Sequence, residues 1–130
     1  MPPKRSVSLV IEGPDGLLLV RRPDDDDDLP GVWGLPAASA TAGESLEDAV
    51  RRAGREKLGV DVRPLEPVGR DGFMTDFRAE IVTGEPQVQP GGTNTQYAEL
   101  RWGELDDLVP AARAGSLCSR VLLRARGAKW

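Results

Sequence analysis

Histidine is absent from this chain of 130 residues, so the side chain that most often titrates near neutral pH is missing. Acid–base or metal chemistry must therefore use aspartate, glutamate, lysine or the one cysteine. A single cysteine, Cys118, cannot form a disulfide within the chain, which favours a reducing compartment. We expect Cys118 to be a packed thiol on a C-terminal helix.

Long apolar runs are also missing. No segment approaches the roughly 20 apolar residues that cross a bilayer, and residues 1–13 lack the apolar region of a signal peptide. The formal net charge of −4 argues against a large basic surface for nucleic acid. These absences predict a cytoplasmic protein without a membrane partner, and the length predicts a single domain over residues 1–130.

Turn-forming residues are plentiful, with 15 glycines and 11 prolines, and they divide the sequence into short elements. Alternating apolar residues predict strands at 6–12, 17–22, 62–70, 73–83 and 96–102, with a short extended piece at 32–36. The predicted loops are 23–31, which contains the run Asp24–Asp28, a flexible segment at 37–43, and 84–95. The order of strands, helix, strands and helix predicts an α/β sandwich with a mixed sheet.

A central helix is predicted between Ser45 and Gly59. Ser45 is the expected N-cap, with Asp48 as its capping-box partner, and Gly59 is the expected residue just past the C-terminus. Gly54 lies inside this helix, where glycine costs about 1 kcal/mol relative to alanine. Either a close approach by other backbone or simple drift on an exposed face would explain Gly54.

Lys57 lies in line with the apolar face of this helix. Two interpretations are open: a snorkelling stem whose ammonium stabilises the helix C-terminus, or a side chain that faces a site. Arg52 and Glu56 form an i,i+4 pair at the edge of the same face. The residues that share the stripe with Lys57 on a helical wheel are Leu46, Ala49, Val50 and Ala53.

The segment 32–60, VWGLPAASATAGESLEDAVRRAGREKLGV, resembles the signature of the Nudix (MutT-like) hydrolase family. That signature is G-x5-E-x7-R-E-U-x-E-E-x-G-U, where U is an aliphatic residue. LLLVRR and WGLP before it and ELRWGELDDL near the end are also typical of the family, so the resemblance covers roughly residues 5–126. It implies a Nudix-like α/β/α sandwich with a mixed central β-sheet. It also implies hydrolysis of nucleoside diphosphate-X phosphoanhydrides with Mg²⁺ or Mn²⁺.

Several signature positions carry the family residue. Glu44 matches the first glutamate, Arg52 the arginine, Glu56 the first of the paired glutamates, and Gly59 the final glycine. In the family, the arginine orients the metal-binding carboxylates. The resemblance therefore makes Glu56 the candidate catalytic residue and metal ligand.

Other positions depart from the signature. Ala38 replaces the first glycine and Gly54 an aliphatic residue, while Ala53 and Lys57 replace two of the three glutamates that usually hold the metal. Compared with the signature, the formal charge of this part of the helix is higher by 3, because replacing Glu by Ala adds 1 and replacing Glu by Lys adds 2. A lysine about 5 Å from a divalent ion repels it by roughly 7 kcal/mol at an effective dielectric near 20. We therefore expect the usual metal site, and its cofactor, to be absent.

The sequence favours a binding domain with altered, weak or absent catalysis. Arg52, Lys57 and Gln96 are the predicted substrate-binding residues, for a nucleotide or another phosphorylated small molecule. The alternative is an active, Mg²⁺- or Mn²⁺-dependent Nudix hydrolase that uses Glu56 and other acids. A homodimer is compatible with both, and the arginine-rich composition is typical of GC-rich bacterial genomes. The acids that could contribute are Asp24–Asp28, Glu80, Glu85 and Glu99.

Overall fold

A computed structural model describes residues 4–89 and 97–130. The strands are β1 Ser6–Gly13, β2 Gly16–Arg21, β3 Trp33–Gly34, β4 Ala37–Ser39, β5 Asp61–Asp71, β6 Met74–Thr83 and β7 Glu99–Gly103. The helices are α1 Leu46–Ala53, α2 Val109–Arg113 and α3 Leu117–Ala125. A π-helical turn, Gly54–Leu58, continues α1, and a 3-10 turn, Leu105–Leu108, precedes α2.

Strand β1 is central to a mixed sheet. It pairs in parallel with β6 and antiparallel with β4, and β6 pairs antiparallel with β5. A tight hairpin joins β1 to β2, which pairs antiparallel with both β3 and β7. The predicted mixed sheet is confirmed, and β2 extends one side of it towards the loop that contains the aspartate run.

Helices cover both faces of the sheet, and each face has its own apolar core. On one face, Ala49, Val50 and Ala53 of α1 pack against β1, β5 and β6. On the other face, Leu122 and Leu123 of α3 pack with residues of β1, β2 and β6. This arrangement confirms the predicted α/β/α sandwich.

The sequence predicts that the segment 37–43 is flexible, and this prediction is wrong for its first part. Residues 37–39 form β4, which pairs with β1 through Ser6↔Ser39 and Ser8↔Ala37. Small side chains carry little strand preference, so backbone pairing decides the conformation. The strand buries Ala38 against the α1 core.

Helix α1 begins as predicted, with Ser45 Oγ accepting a hydrogen bond from the Asp48 N–H at 3.1 Å. The expected capping-box role of the Asp48 carboxylate is replaced by an ion pair with Arg51 at 2.8 Å. The helix ends at Gly59, which adopts φ 68° and satisfies the predicted left-handed position. Its final turn is π-helical rather than α-helical.

Gly54 opens the π-helical turn and is closely approached by β5. A Cβ atom at this position would lie 2.9 Å from Val62 Cγ2 and 3.2 Å from the Val60 carbonyl oxygen. The close-approach interpretation of this glycine is therefore confirmed. The contact fixes the distance between the end of α1 and the sheet.

Cys118 is the second residue of α3 and is buried in the apolar core on that face of the sheet, as expected. Burial raises the pKa of its thiol, and the nearby Asp76 raises that pKa further. A thiol with a raised pKa is a poor nucleophile, which fits a packed residue. In the part of the chain that the structure describes, no helix is long and apolar enough to cross a bilayer.

Candidate functional site

Two adjoining cavities form a cleft beside β2 and the end of α1. The larger, which we call the apolar cavity, has a volume of about 440 Å³ and is lined in part by Leu35, Leu117 and Cys118. The smaller, the basic cavity, measures about 300 Å³ and is lined in part by Lys4 and Lys57. The residues that line both cavities are Arg22, Asp28, Ala37, Met74 and Tyr97.

Lys57 borders the basic cavity from the π-helical turn. The residue is only 9% exposed, and its Nζ lies 5.7 Å from the centroid of the Tyr97 ring. Burial lowers the pKa of Lys57, the charges of Arg22 and Arg52 lower it further, and Glu56 opposes them. Lys57 therefore forms part of the cleft wall, and its role in binding stays a prediction.

Arg22 lies where the two cavities meet, directly after β2. Its Nη2 donates to Asp26 Oδ1 at 3.0 Å, while its buried Nε has no hydrogen-bond partner among the described residues. Arg22 was not predicted as a site residue from the sequence. The alternation along β2 could have indicated it, because Leu18 and Val20 lie on the same face as Arg22 and are both buried in the α1 core.

Tyr97 forms the wall shared by both cavities. Its hydroxyl accepts from the Ala37 N–H at 2.9 Å and lies 3.3 Å from the Ala37 carbonyl oxygen, to which it donates. Burial raises the pKa of Tyr97 to about 12, so the phenol stays neutral near pH 7. The sequence placed Tyr97 in a strand, whereas β7 begins at Glu99.

Arg52 ties α1 to the segment that precedes it. Its Nε and Nη2 bond both carboxylate oxygens of Glu44 at 3.0 Å, and Nη2 also donates to the Ser39 carbonyl at 2.6 Å. The hydrogen bonds to Glu44 raise the pKa of Arg52 above its usual value, with Glu56 adding to this effect and burial opposing it. Arg52 therefore has a positioning role here, and its contact with substrate stays a prediction.

Glu56 is the second acid bound to this arginine. Its Oε1 accepts from Arg52 Nη1 at 3.0 Å, and its side chain is 52% exposed. Glu44, by contrast, is only 15% exposed. The Arg52 hydrogen bonds dominate over burial and hold the pKa of Glu44 at about 2. Glu44 thus stabilises the start of the helix through Arg52, while Glu56 lies at the surface.

The aspartate loop is held by arginines rather than gathered around Glu56. Asp24 pairs with Arg21 at 2.9 Å. Asp26 accepts hydrogen bonds from the N–H groups of residues 28 and 29. Burial opposes ionisation of Asp26, but these hydrogen bonds and Arg22 lower its pKa overall. Asp28 lines both cavities.

The remaining candidate acids either pair with arginines or are exposed. Glu99 pairs with Arg21 at 2.8 Å and Glu80 pairs with Arg63, whereas Glu85 is exposed beyond β6. Gln96 lies outside the described residues. Across residues 4–89 and 97–130, no three or more acidic, histidine or cysteine side chains are grouped so as to hold a metal ion.

The NUDIX domain profile matches residues 2–123 of the chain. A curated relative from Stutzerimonas stutzeri, named NAD-capped RNA hydrolase NudC, is 35% identical over 123 residues, which cover 90% of this chain and 41% of the relative. A relative of the same name from Pseudomonas aeruginosa is 34% identical over 122 residues, with 89% and 41% coverage. The chain thus spans about two-fifths of the length of these relatives.

Solved structures share the fold. A NUDIX hydrolase from Nitrosomonas europaea superposes with a TM-score of 0.73 at 21% identity and covers 97% of this chain and 90% of its own. An ADP-ribose pyrophosphatase from Streptococcus suis gives a TM-score of 0.66 at 23% identity, with 99% and 96% coverage. At these identities the likeness establishes the architecture, and it confirms the Nudix-like fold expected from the sequence.

Proposed function

Because the chain belongs to the NUDIX domain family, we propose that its cleft binds a nucleotide or another phosphorylated small molecule without a divalent metal. Lys57 and Arg22 contact phosphate oxygens, and the apolar cavity takes the nucleoside or its equivalent. Hydrolysis is weak or absent. The observation that carries this proposal is the buried Lys57 on the cleft face, where the signature has a metal-binding glutamate.

The donor set does not suit Mg²⁺ or Mn²⁺, which require several hard oxygen ligands. Ala53 offers a fully buried methyl group, Lys57 offers an ammonium, and Glu56 is already hydrogen-bonded to Arg52. Within the described ranges, no other acids complete the set. The same substitutions leave positive charge in the cleft, which suits an anion.

Arg22 supplies the second argument. A buried N–H that lacks a partner in the described structure costs free energy, and an oxygen of a bound phosphate would satisfy Arg22 Nε. Lys57 is close enough for the charge of Arg22 to lower its pKa. A phosphate between the two cations would relieve this repulsion. Gln96 remains a predicted substrate-binding residue outside the described structure.

The relatives suggest which ligands to test first. Their printed name refers to NAD-capped RNA, so adenine nucleotides that contain a diphosphate are suitable probes. The same name favours a second candidate function, in which retained Glu56 and other acids support metal-dependent hydrolysis. Because the chain spans only 41% of such a relative, the relative's activity is itself a proposal for this chain. A cytoplasmic location also stays a prediction.

Calorimetric titration with ADP and NAD, in EDTA and then in Mg²⁺ or Mn²⁺, separates the two functions. We expect binding in EDTA that weakens about tenfold to a hundredfold in Lys57→Ala, because a charge-assisted hydrogen bond contributes about 1.5–3 kcal/mol. Lys129→Ala, at an exposed lysine, is the matched control. Metal-dependent release of nucleotide products that Glu56→Gln abolishes would establish the hydrolase instead.

A further inference from the structure

A second groove opens beside the cleft, formed by the chain before β1 and by the β5–β6 turn. It has a volume of about 380 Å³, and we call it the cationic groove. Lys4 lines both this groove and the basic cavity, and Phe73 lines both this groove and the apolar cavity. The groove is therefore continuous with the proposed nucleotide site. Its other lining residues are Arg5, Leu46, Arg70, Gly72 and Thr75.

The positive charges of the groove are not neutralised by neighbouring acids. Arg5 Nη2 donates to the carbonyl oxygens of Thr41 and Glu44, at 3.1 and 2.7 Å, and so keeps its full charge. Lys4 and Arg70 form no ion pair with a described carboxylate. The acids nearest in sequence to these cations are engaged elsewhere, as in the 3.0 Å pair between Asp71 and Arg124.

An aromatic ring stands among these cations. Phe73 is 40% exposed, although large aromatic side chains are usually buried. Lys4 Nζ lies 4.5 Å from the centroid of the ring. The backbone at Phe73 is fixed, because its carbonyl accepts from the Ser6 N–H at 2.8 Å. A ring held at the surface and flanked by cations matches the stacking platform of single-strand binding sites.

We propose that the cationic groove binds a short single strand of nucleic acid attached to the nucleotide in the cleft. Phe73 stacks on a base, and Arg70 and Lys4 contact phosphates. This inference rests on the proposed function, because the strand leaves the cleft through the shared wall at Lys4 and Phe73. A groove of this size holds only a short segment, so it agrees with the expectation that a chain of net charge −4 has no large nucleic-acid surface.

Fluorescence anisotropy with a 3′-labelled, 5′-phosphorylated adenosine tetranucleotide tests the inference, with unlabelled AMP and unlabelled tetranucleotide as competitors. We expect the tetranucleotide to bind at least tenfold more tightly than AMP. Arg70→Gln should reduce that advantage about fivefold, leave AMP affinity unchanged, and lower the slope of log affinity against log salt by about 0.7. Arg55→Gln removes the same charge from an exposed position outside the groove, and should change neither affinity.

The stacking contact has its own test. Phe73→Leu keeps an apolar side chain but removes the aromatic face, so it should weaken tetranucleotide binding at least fivefold, the lower limit for losing one stacked base. Phe73→Tyr should retain the affinity. A tetranucleotide that is abasic beyond its first residue should bind wild type and Phe73→Leu equally, because it offers no base to stack on the ring.

The outcomes distinguish the groove from the cleft. If AMP binds but added nucleotides bring no gain in affinity, the groove inference is wrong and the proposed function stands. If AMP, ADP and NAD all fail to bind, the proposed nucleotide site is wrong, and the effect of Arg70→Gln on the tetranucleotide still tests the groove. Equal losses in Arg70→Gln and Arg55→Gln would also overturn the inference, because they would indicate general charge attraction.

Discussion

Arg52 holds both carboxylate oxygens of Glu44 in a two-point contact, with each N–O distance at 3.0 Å. The same guanidinium reaches the Ser39 carbonyl at 2.6 Å, so one side chain fastens β4 and the start of α1 to the middle of the helix. Both partners belong to the Nudix signature. Their contact stabilises the end of the cleft that carries Lys57 whether or not a metal is bound.

We therefore expect Glu44→Gln to lower the free energy of unfolding by about 1–3 kcal/mol at pH 7, as measured by urea denaturation. This difference in the free energy of unfolding between Glu44→Gln and wild type should become smaller in acid. Because Arg52 holds the pKa of Glu44 at about 2, below its usual value near 4.3, the stabilisation is complete above about pH 4.3 and is lost as pH falls towards 2. Glu47→Gln, at an exposed position in the same helix, should change stability little. Equal effects of the two variants would contradict the contact.

Asp76 predicts the opposite pH dependence. It lies on β6 beside Ser8 of β1, is fully buried, and neither carboxylate oxygen has a hydrogen-bond partner in the described structure. Burial raises the pKa of Asp76 to about 7. The Ser8 hydroxyl, at the paired position on β1, favours the charged form and opposes this shift. Between about pH 4 and 7 the unfolded chain loses this proton and the folded chain keeps it, so stability falls as pH rises.

Asp76 should lower the free energy of unfolding by about 1.4 kcal/mol for each pH unit of rise, or on the order of 4 kcal/mol from about pH 4 to 7. Asp76→Asn should remove it, so the difference in unfolding free energy between variant and wild type should change by that amount from pH 4 to 7. Asp27→Asn, at an exposed position in the aspartate loop, serves as the control. Parallel pH profiles for Asp76→Asn and wild type would show that the buried carboxyl does not titrate in this range.

The contact at Gly54 predicts that alanine, the better helix former, is unfavourable there. Alanine gains about 1 kcal/mol in helix propensity, but its Cβ would press on Val62 Cγ2 at 2.9 Å, and overpacking typically costs about 1–3 kcal/mol. We expect Gly54→Ala to lower the thermal midpoint. A double-mutant cycle with Val62→Ala should show favourable coupling, because the smaller side chain makes room. If the effects of Gly54→Ala and Val62→Ala on stability are additive, the crowding between the new Cβ and Val62 is relieved in another way.

The parts of the fold that follow local rules were predictable from the sequence. Ser45 and Gly59 delimit the central helix because capping and the left-handed conformation depend on residues only a few positions apart. The hairpin of β1 and β2 and the long strands β5 and β6 follow alternation in the same way. The π-helical turn was not predicted, and the close contact of its first residue, Gly54, with Val62 involves a strand outside the helix.

The cleft was only partly predictable. Lys57 could be found because it departs from both the apolar stripe and the signature. Arg22 and Tyr97 could not be linked to it, since their proximity depends on β2, β4 and the chain before β7 meeting in space. β4 itself was missed because small residues show no strand preference, so its pairing with β1 decides its structure.

Restoring the two signature glutamates tests whether Ala53 and Lys57 alone account for the expected loss of metal binding. Ala53→Glu together with Lys57→Glu places two carboxylates beside Glu56, where Ala53 is fully buried and Lys57 nearly so. Without metal, this variant should be less stable than wild type, because like charges are forced together in the helix and the cleft wall. Mn²⁺ should reverse the loss by about 2.7 kcal/mol at a hundred times its dissociation constant.

Thermal unfolding with and without Mn²⁺, supported by calorimetric titration, measures this response. The matched control is Ala53→Gln with Lys57→Gln, which has similar side-chain sizes but lacks anionic donors, and should show no stabilisation by metal. If the folded glutamate variant ignores Mn²⁺, the cleft geometry itself has departed from that of metal-binding relatives. If wild type responds as strongly as the glutamate variant, Lys57 does not exclude the ion and binding without metal is no longer the better proposal.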